Sequence, residues 1–471
     1  MIRIYLDWSV ISNFKKDEFI EIREFIAEHK DYLQFPYSPA HFSDLMKSYS
    51  LENKYFEQDL QNLEYLSDKH LLRWGKDGIE VLFGTPKEYF EGEKENIFSM
   101  MDIEKMCNDL DDNDFGVGKF GSLIKSLYQL MPTGIEINKD NNEIIQKMFP
   151  NLDSNSSMWD LMKDITPFSK KLLTEKEYFK DFRKIISDKG FKLEANSGNW
   201  NIDEVFKNID NFLQKQNTNL TFNEYVNTCF KHRKEPANRF EHFTTAYLLL
   251  DMIGYKSDSL PKLTDNMQNI QNDAEHSFYS AYCDYFVVID KKLTIKTKVL
   301  FKEFNIPTIV ISPKELIETL KKQIHIIDTT KHFINEAFDL IKSENIVETY
   351  EKSEEMEVDT FAFKLPKFYF NFFNYVIYQN YENKNAFVLT FKKVFKNYSS
   401  FIYYTETEKV IDQVCNFFGF ENNQEHLNKK NEFIYGEKET TFIWDFEDGI
   451  IKLEKDIDTK RPILIYIVLV K

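Results

Sequence analysis

Glycine and proline are scarce in this chain, 14 and 12 of 471 residues, a composition that argues against disorder or low complexity. Cysteine is rarer still. The four residues Cys107, Cys229, Cys283 and Cys415 are scattered and form no CxxC pair, which speaks against a disulfide framework or a thiolate zinc site. Long hydrophobic runs are missing too. The longest, ILIYIVLV at 463–470, is far short of the roughly 20 apolar residues that cross a bilayer. The opening MIRIYLDW alternates like a strand and then meets an acid, unlike a secretory leader, so a cytoplasmic protein with no membrane partner is expected. Positive charge is also in deficit, with 60 Lys and Arg against 77 Asp and Glu and a formal net charge of −17. General nucleic-acid binding relies on the opposite balance, so any polyanion must be held by a local basic patch.

What is abundant is aromatic: 16% of residues, 44 of them Phe, which predicts Phe-filled cores. The length is ample for two or three such cores. Against that background, a few aspartates occupy distinctive places. Ile2, Ile4 and Leu6 make a short strand that runs into Asp7. In NDAEHSFYSAYCDYFVVIDKKL (272–293), Ala274, Phe278, Ala281 and Tyr282 recur at helical spacing, so a helix is expected to open at Asp273. The run Tyr285 to Ile289 is β-branched and aromatic and predicts a buried strand ending on Asp290. At about 1.5 Å per residue the helix from Asp273 to Asp284 rises roughly 16 Å. The strand returns roughly 17–20 Å at about 3.3 Å per residue. Asp273 and Asp290 should therefore meet, with Asp284 excluded at the far end. Asp7, at the C-terminal end of its strand, belongs in the crevice where open α/β sheets bind ligands. Upstream, Leu33 to Tyr37 is a second strand, and Ser38-Pro39 starts a helix with the hydroxyl as N-cap. Asp44 lies about one and a half turns into that helix, with His41 three residues before it on the same face. Carboxylates at strand ends suit a hard divalent cation and phosphodiester chemistry.

This set resembles the PIN-like nuclease superfamily: an Asp closing the first strand, an acid in an early helix, an Asp opening a late helix and an Asp closing the next strand. Here they are Asp7, Asp44, Asp273 and Asp290. The segment KKLTIKTKVLFKEFNIPTIVISPKELI is also similar to that family, with a helix, a strand at Thr308 to Ile311 and a Pro-initiated helix. The resemblance covers residues 1 to about 50 and about 235 to 325. It departs at Trp8-Ser9, where the family often has Thr-Asn, at Val288, where it often has a hydroxyl, and at Asp44, where Glu is commoner.

The organisation expected is an α/β protein: a PIN-like parallel-sheet domain in two parts (1–50 and 235–328), a mostly helical insertion (51–234) and a small α+β C-terminal domain (329–471). Within the insertion, 51–74, 96–110, 121–131, 142–152, 157–173 and 201–214 show apolar residues three and four apart, and all are read as helix. The glycines of DFGVGKFG (114–121) lack the strand before and the Lys-Ser/Thr after that a phosphate loop demands, so a helix-to-helix loop is expected. The helix 238–255 returns the chain to the α/β core, with Gly254 as its stop. In the C-terminal part, Ala386 to Phe391 and Ser400 to Tyr404 read as strands and 408–420 as a helix. Phe442, Trp444 and Phe446 before Asp448-Gly449 predict a hairpin, and the final apolar run a central strand buried on both faces.

The resemblance implies a metal-dependent endonuclease, a ribonuclease ahead of a DNase, with Asp7, Asp44, Asp273 and Asp290 both catalytic and holding Mg²⁺ or Mn²⁺, and products with 5′-phosphate and 3′-hydroxyl ends. Large relatives of this kind look like bacterial toxins or phage-defence effectors, which would add a restraining protein partner or self-association. For the nucleic acid itself, Lys231, Arg233, Lys234 and Arg239 in FKHRKEPANRF compete with the run Lys291, Lys292, Lys296 and Lys298. Arg239, Lys291, Lys292 and His276 are the residues retained as secondary substrate contacts. Two rivals stand beside this reading. One is a PIN-like scaffold without catalysis, acting through protein contacts. The other is a phosphohydrolase with nucleophilic Asp7, disfavoured because that chemistry wants an Asp where Ser9 stands.

Overall fold

The computed structural model describes residues 1–98 and 175–469, apart from short internal stretches (51–52, 76–77, 189, 191, 195, 217–218, 231–235, 261–264, 325–328, 343–345, 351–357, 395–403, 420–423, 437–438 and 448), with isolated positions between 149 and 172. Lys231, Arg233 and Lys234, the glycine-rich 114–121 and the helices expected over 121–131 and 142–152 lie outside the described residues, as does most of 96–110.

Two sheets dominate the described residues. The first has four strands, all parallel, in the order β2-β1-β5-β6: β1 (Ile2–Leu6), β2 (Leu33–Gln34), β5 (Tyr285–Val287) and β6 (Ile309–Ile311). Strands with crossovers between them need cover on both faces, and the alternation of β1 supplies it. Ile2, Ile4 and Leu6 pack on one side with Tyr285, Val287, Phe25, Leu63 and Leu316. Tyr5 points to the other side, where it joins Phe286, Tyr247, Ala274 and Phe278. Successive strand residues face opposite ways, so one short strand feeds two cores.

The helices over these faces include α1 (Trp8–Asn13), α2 (Ile20–His29), α3 (Pro39–Ser50), α4 (Phe56–Leu66), α9 (Arg239–Met252), α10 (Met267–Ser280), α11 (Lys291–Glu303) and α12 (Pro313–Gln323). The expected Pro-initiated helix after β6 is α12, with Ser312 capping and Glu315 returning the bond. Between the two halves come α5 (Pro86–Phe98), α6 (Lys176–Asp188), α7 (Val205–Lys215) and α8 (Phe222–Thr228).

The region is not all helix. Residues 70–74, expected to continue a helix, form β3 (His70–Gly75), which pairs antiparallel with β4 (Gly78–Phe83). The helix ends at Leu66 because Asp68 and Lys69 take positive φ, which a helix cannot contain. Leu71 then bridges Tyr37, so the hairpin leans on the strand side of the fold.

The second sheet is antiparallel with seven strands, β11-β12-β13-β10-β9-β8-β7. They are β7 (Ile346–Tyr350), β8 (Thr360–Tyr369), β9 (Phe373–Tyr381), β10 (Ala386–Lys392), β11 (Phe442–Phe446), β12 (Gly449–Lys455) and β13 (Pro462–Leu469). With α13 (Thr330–Lys342), α14 (Tyr404–Phe418) and α15 (Gln424–Tyr435) it encloses a Phe-rich core that includes Phe333, Phe372, Phe373, Phe391 and Phe433. The hairpin after Phe446 forms, and Gly449 carries φ +158 against Ile467. β13 is central, as expected, yet only one face is closed: Leu464, Tyr466 and Val468 are buried while Ile465 and Ile467 are half-buried. Tyr404 opens α14 instead of closing a strand, and 400–403 lie outside the described residues.

Candidate active site

Asp7 stands where two neighbouring parallel strands end together. Its N–H donates to the carbonyl of Val287 at 2.9 Å, which fixes it beside the exit of β5. Asp7 also caps α1: its Oδ2 accepts from the Ser9 N–H at 3.0 Å and from the Ser9 hydroxyl. So the Ser9 that departs from the family pattern orients the acid. Burial raises the Asp7 pKa and Asp44 raises it further, against the opposing pull of His276 and Ser9.

Asp44 is held from α10. Its Oδ2 meets His276 Nε2 at 3.0 Å, and its Oδ1 accepts from Asn272 at 3.0 Å and from Lys47 at 2.9 Å. Burial alone would raise its pKa; Lys47 and His276 outweigh burial and hold the carboxyl below the usual range. Behind it runs a buried polar chain. The Tyr5 hydroxyl lies 2.9 Å from His276 Nδ1 and 2.6 Å from the Ser38 hydroxyl. The Ser38 N–H donates to His41 Nδ1 at 3.1 Å, which leaves the His41 Nε2–H to donate to the Leu6 carbonyl at 2.9 Å. Ser38 thus starts α3 as expected, but its hydroxyl turns to Tyr5 and the side chain of His41 serves the helix end. Burial lowers the His41 pKa to about 3. His276 is also buried, yet the bond to Asp44 and the charges of Asp7, Asp44 and Asp273 raise it.

Asp273 does not open its helix. α10 begins two turns earlier at Met267, so Asp273 is mid-helix and projects from the wall toward the strand ends. Among the described residues its carboxyl oxygens accept no hydrogen bond. Burial raises its pKa well above the usual value; Lys296 opposes this, and Asp7, Asp44 and Asp290 add to it. Asp7, Asp44 and Asp290 therefore all act on Asp273, although the four come from separate elements. Asp290 lies beyond the end of β5, exposed, and caps α11, its Oδ1 accepting from the Lys292 and Leu293 N–H groups at 2.7 and 2.8 Å. Asp284 sits at the opposite end of β5, as the geometry required: its N–H donates to the Arg3 carbonyl, and its Oδ2 accepts from the Arg3 N–H.

Three residues of this site were not read from the sequence. Lys296, read from the sequence only as one of a basic run competing for nucleic acid, is 1% exposed and pairs with the fully buried Asp251 at 3.2 Å. Its ammonium lies 4.4 Å from the centre of the Tyr247 ring. The Tyr247 hydroxyl is buried without a hydrogen-bond partner among the described residues, and Asp273, Asp251, Asp290 and Asp7 all add to the effect of burial in raising its pKa. A hydroxyl left unpaired beside acids marks a place where a further polar atom would be accommodated.

No family model, no curated protein and no solved structure matches this chain.

The donor chemistry can be tested on its own terms. Asp7 Oδ1, Asp290 Oδ2 and both Asp273 oxygens accept no hydrogen bond among the described residues. Carboxylate oxygens of this kind suit Mg²⁺ or Mn²⁺. Still, among the described residues no group of three or more His, Cys, Asp or Glu side chains is arranged to hold a metal ion. Asp44 is engaged by His276, Asn272 and Lys47, and Asp290 by the N–H groups at the start of α11. The residue types fit a hard cation.

Of the secondary contacts, His276 is in the site. Lys291 is exposed at the start of α11, and the Lys292 ammonium donates to the Ser257 carbonyl at 2.8 Å. Arg239 is placed elsewhere. It opens α9, roughly 12 Å along the helix from Tyr247, at the end where Phe240 packs on Trp74, Phe278 and Tyr279.

Proposed function

We propose that this protein is a metal-dependent PIN-like endonuclease acting on RNA. The observation that carries the reading is the convergence of Asp7, Asp44 and Asp290 on Asp273, with Asp7 and Asp290 following the C-terminal ends of two neighbouring parallel strands. Surplus buried negative charge is costly unless a cation or proton answers it, and such perturbed groups cluster at functional sites.

Asp7, Asp273 and Asp290 would hold Mg²⁺ or Mn²⁺, with Asp44 completing the set. Bound there, such an ion supplies an activated water and neutralises charge on a scissile phosphate. The chain's own groups do the rest. His276 keeps Asp44 ionised and aimed, and is itself steadied by Tyr5. Ser9 and the α1 N–H groups fix Asp7. The Tyr247 hydroxyl, without a partner among the described residues, would be available to donate to a bound water or phosphate oxygen. The nucleic-acid class follows from the resemblance described above, and a role as a toxin or phage-defence effector in the cytoplasm is part of the same proposal.

The second reading is a scaffold that works through protein contacts, and the engagement of Asp44 and Asp290 by protein donors is what speaks for it. One experiment separates them. Purified protein with Mn²⁺ should cut single-stranded or structured RNA, and Asp7→Ala or Asp273→Ala should abolish cutting. Undiminished cleavage by both variants places the chemistry elsewhere; calorimetry with no Mn²⁺ uptake by the wild type supports the scaffold.

A further inference from the structure

One face of α6 is basic. Lys180, Arg183, Lys184 and Ser187 follow the i, i+3, i+4, i+7 spacing that aligns side chains on a helix. They face the turn after α9, and together with Lys192 and Ser257 they line a cavity of about 230 Å³. In a chain with a net charge of −17, four cations around one cavity are a local reversal of the field. Two of the four are already engaged. Lys180 lies 3.7 Å from Glu177, and Arg183 donates to Asp251 at 3.0 Å and to the Asp258 carbonyl at 2.9 Å. Lys184 and Lys192 are exposed and have no ion pair among the described residues.

Two links join this cavity to the acidic site. Arg183 grips one oxygen of Asp251 while Lys296 takes the other, and Lys296 is the cation that acts most strongly on Asp273. The second link runs through Lys292, two residues after Asp290, whose ammonium donates to the carbonyl of Ser257 in the cavity wall. The cavity is smaller than the roughly 300–1,000 Å³ of sites that enclose a whole small molecule. It suits one phosphate group with its substituents outside.

We propose that the Lys180–Lys184–Lys192 cavity binds a backbone phosphate of the polynucleotide whose scissile bond lies at the acidic site. The proposal rests on the nuclease reading for its substrate, and its geometry supplies what that reading lacked: a basic surface beside an acidic centre. The α6 wall belongs to the inserted region, so the insertion contributes to substrate binding. Arg183 acts as a positioning residue, because its guanidinium is tied to Asp251. Lys184 and Lys192 supply the charge.

The test is RNA binding by the full chain, measured with a 12-nucleotide single strand in Ca²⁺ so that binding is read without cleavage. The triple variant Lys180→Glu/Lys184→Glu/Lys192→Glu should bind at least about tenfold more weakly. It should also lose about 0.7 from the slope of log affinity against log salt, the share of one single-strand phosphate contact. A charge-matched control, Lys384→Glu/Lys452→Glu/Lys460→Glu on the C-terminal sheet domain, should keep the wild-type slope. The milder Lys184→Gln/Lys192→Gln, expected to lower the slope by up to the same value of about 0.7, covers any misfolding of the first variant. Equal slopes for wild type and both cavity variants overturn the proposal, as does a control that falls as far as the triple variant. Wild type that binds RNA through these lysines but cuts none with Mn²⁺ upholds the cavity and ends the nuclease reading.

Discussion

The two ends of the parallel sheet treat buried charge in opposite ways. At the N-terminal end, Arg3 is fully buried and its Nη2 donates to Glu406 of α14 at 2.6 Å. Lys393 donates there to Asp284 at 3.2 Å and to the Met1 carbonyl at 3.1 Å. Each acid there is answered by bases, Glu406 also by the Met1 amine at 2.8 Å, and the ion pairs fasten the parallel sheet to the C-terminal domain. At the C-terminal end, Asp7, Asp44 and Asp290 act on Asp273, and the nearby cations are Lys47 and His276, both paired with Asp44, and Lys296, paired with Asp251. Balanced burial is architecture. Unbalanced burial is where a ligand is to be sought.

The contrast can be broken by removing one charge from each end. The largest effect belongs to the balanced end: Glu406→Gln strands the Arg3 guanidinium and should cost about 3–5 kcal/mol, read as a lowered urea midpoint. A loss under 1 kcal/mol would mean that the Arg3 cluster is not a fastening. At the acidic end, His276→Gln removes the partner that aims Asp44 and should weaken Mn²⁺ binding by about 10–100-fold in calorimetry. The His276 pKa is raised in the fold, so its pairing stabilises fully below its ordinary value of 6.5 and fades as pH rises through the higher folded value. The wild-type advantage in thermal midpoint over His276→Gln should therefore shrink with rising pH.

The smallest effect has the opposite sign. Asp273→Asn removes a charge that burial and three other acids disfavour, so without divalent metal at pH 7.5 it should raise the thermal midpoint by about 2–4 °C per kcal/mol relieved. Because the folded pKa of Asp273 is raised, the stability of the protonated form is lost as pH rises through that value. The gain from Asn should then be larger at pH 8 than at pH 5. A variant less stable than wild type at pH 8 would show that Asp273 serves the fold and not a ligand.

Much of this arrangement was legible because it is local. The alternation Ile2, Ile4, Leu6 runs straight into Asp7, and Ser38-Pro39 opens a helix within the next segment. The start of α10 was missed because Asn266 to Asn269 carry no apolar rhythm and Asn266 makes no capping bond. The β3–β4 hairpin did carry a sequence signal, Asp77-Gly78 between two apolar stretches, which the helical spacing before it obscured. Lys296 and Tyr247 could not be read at all. Whether a lysine lies in water or against Asp251 depends on a helix packing across a separation of 45 residues in sequence. The basic face of α6 was passed over for a similar reason, since its importance comes from what α9 and α11 place opposite it.

The grip of Arg183 on Asp251 has a practical result for anyone cutting this gene. The parallel-sheet halves look removable as one unit, yet a strut from the intervening stretch reaches under their floor and sets the lysine that answers Asp273. A graft of residues 1–50 onto 235–328 would keep every acid and lose that support, so the shortest faithful fragment must carry α6 with it.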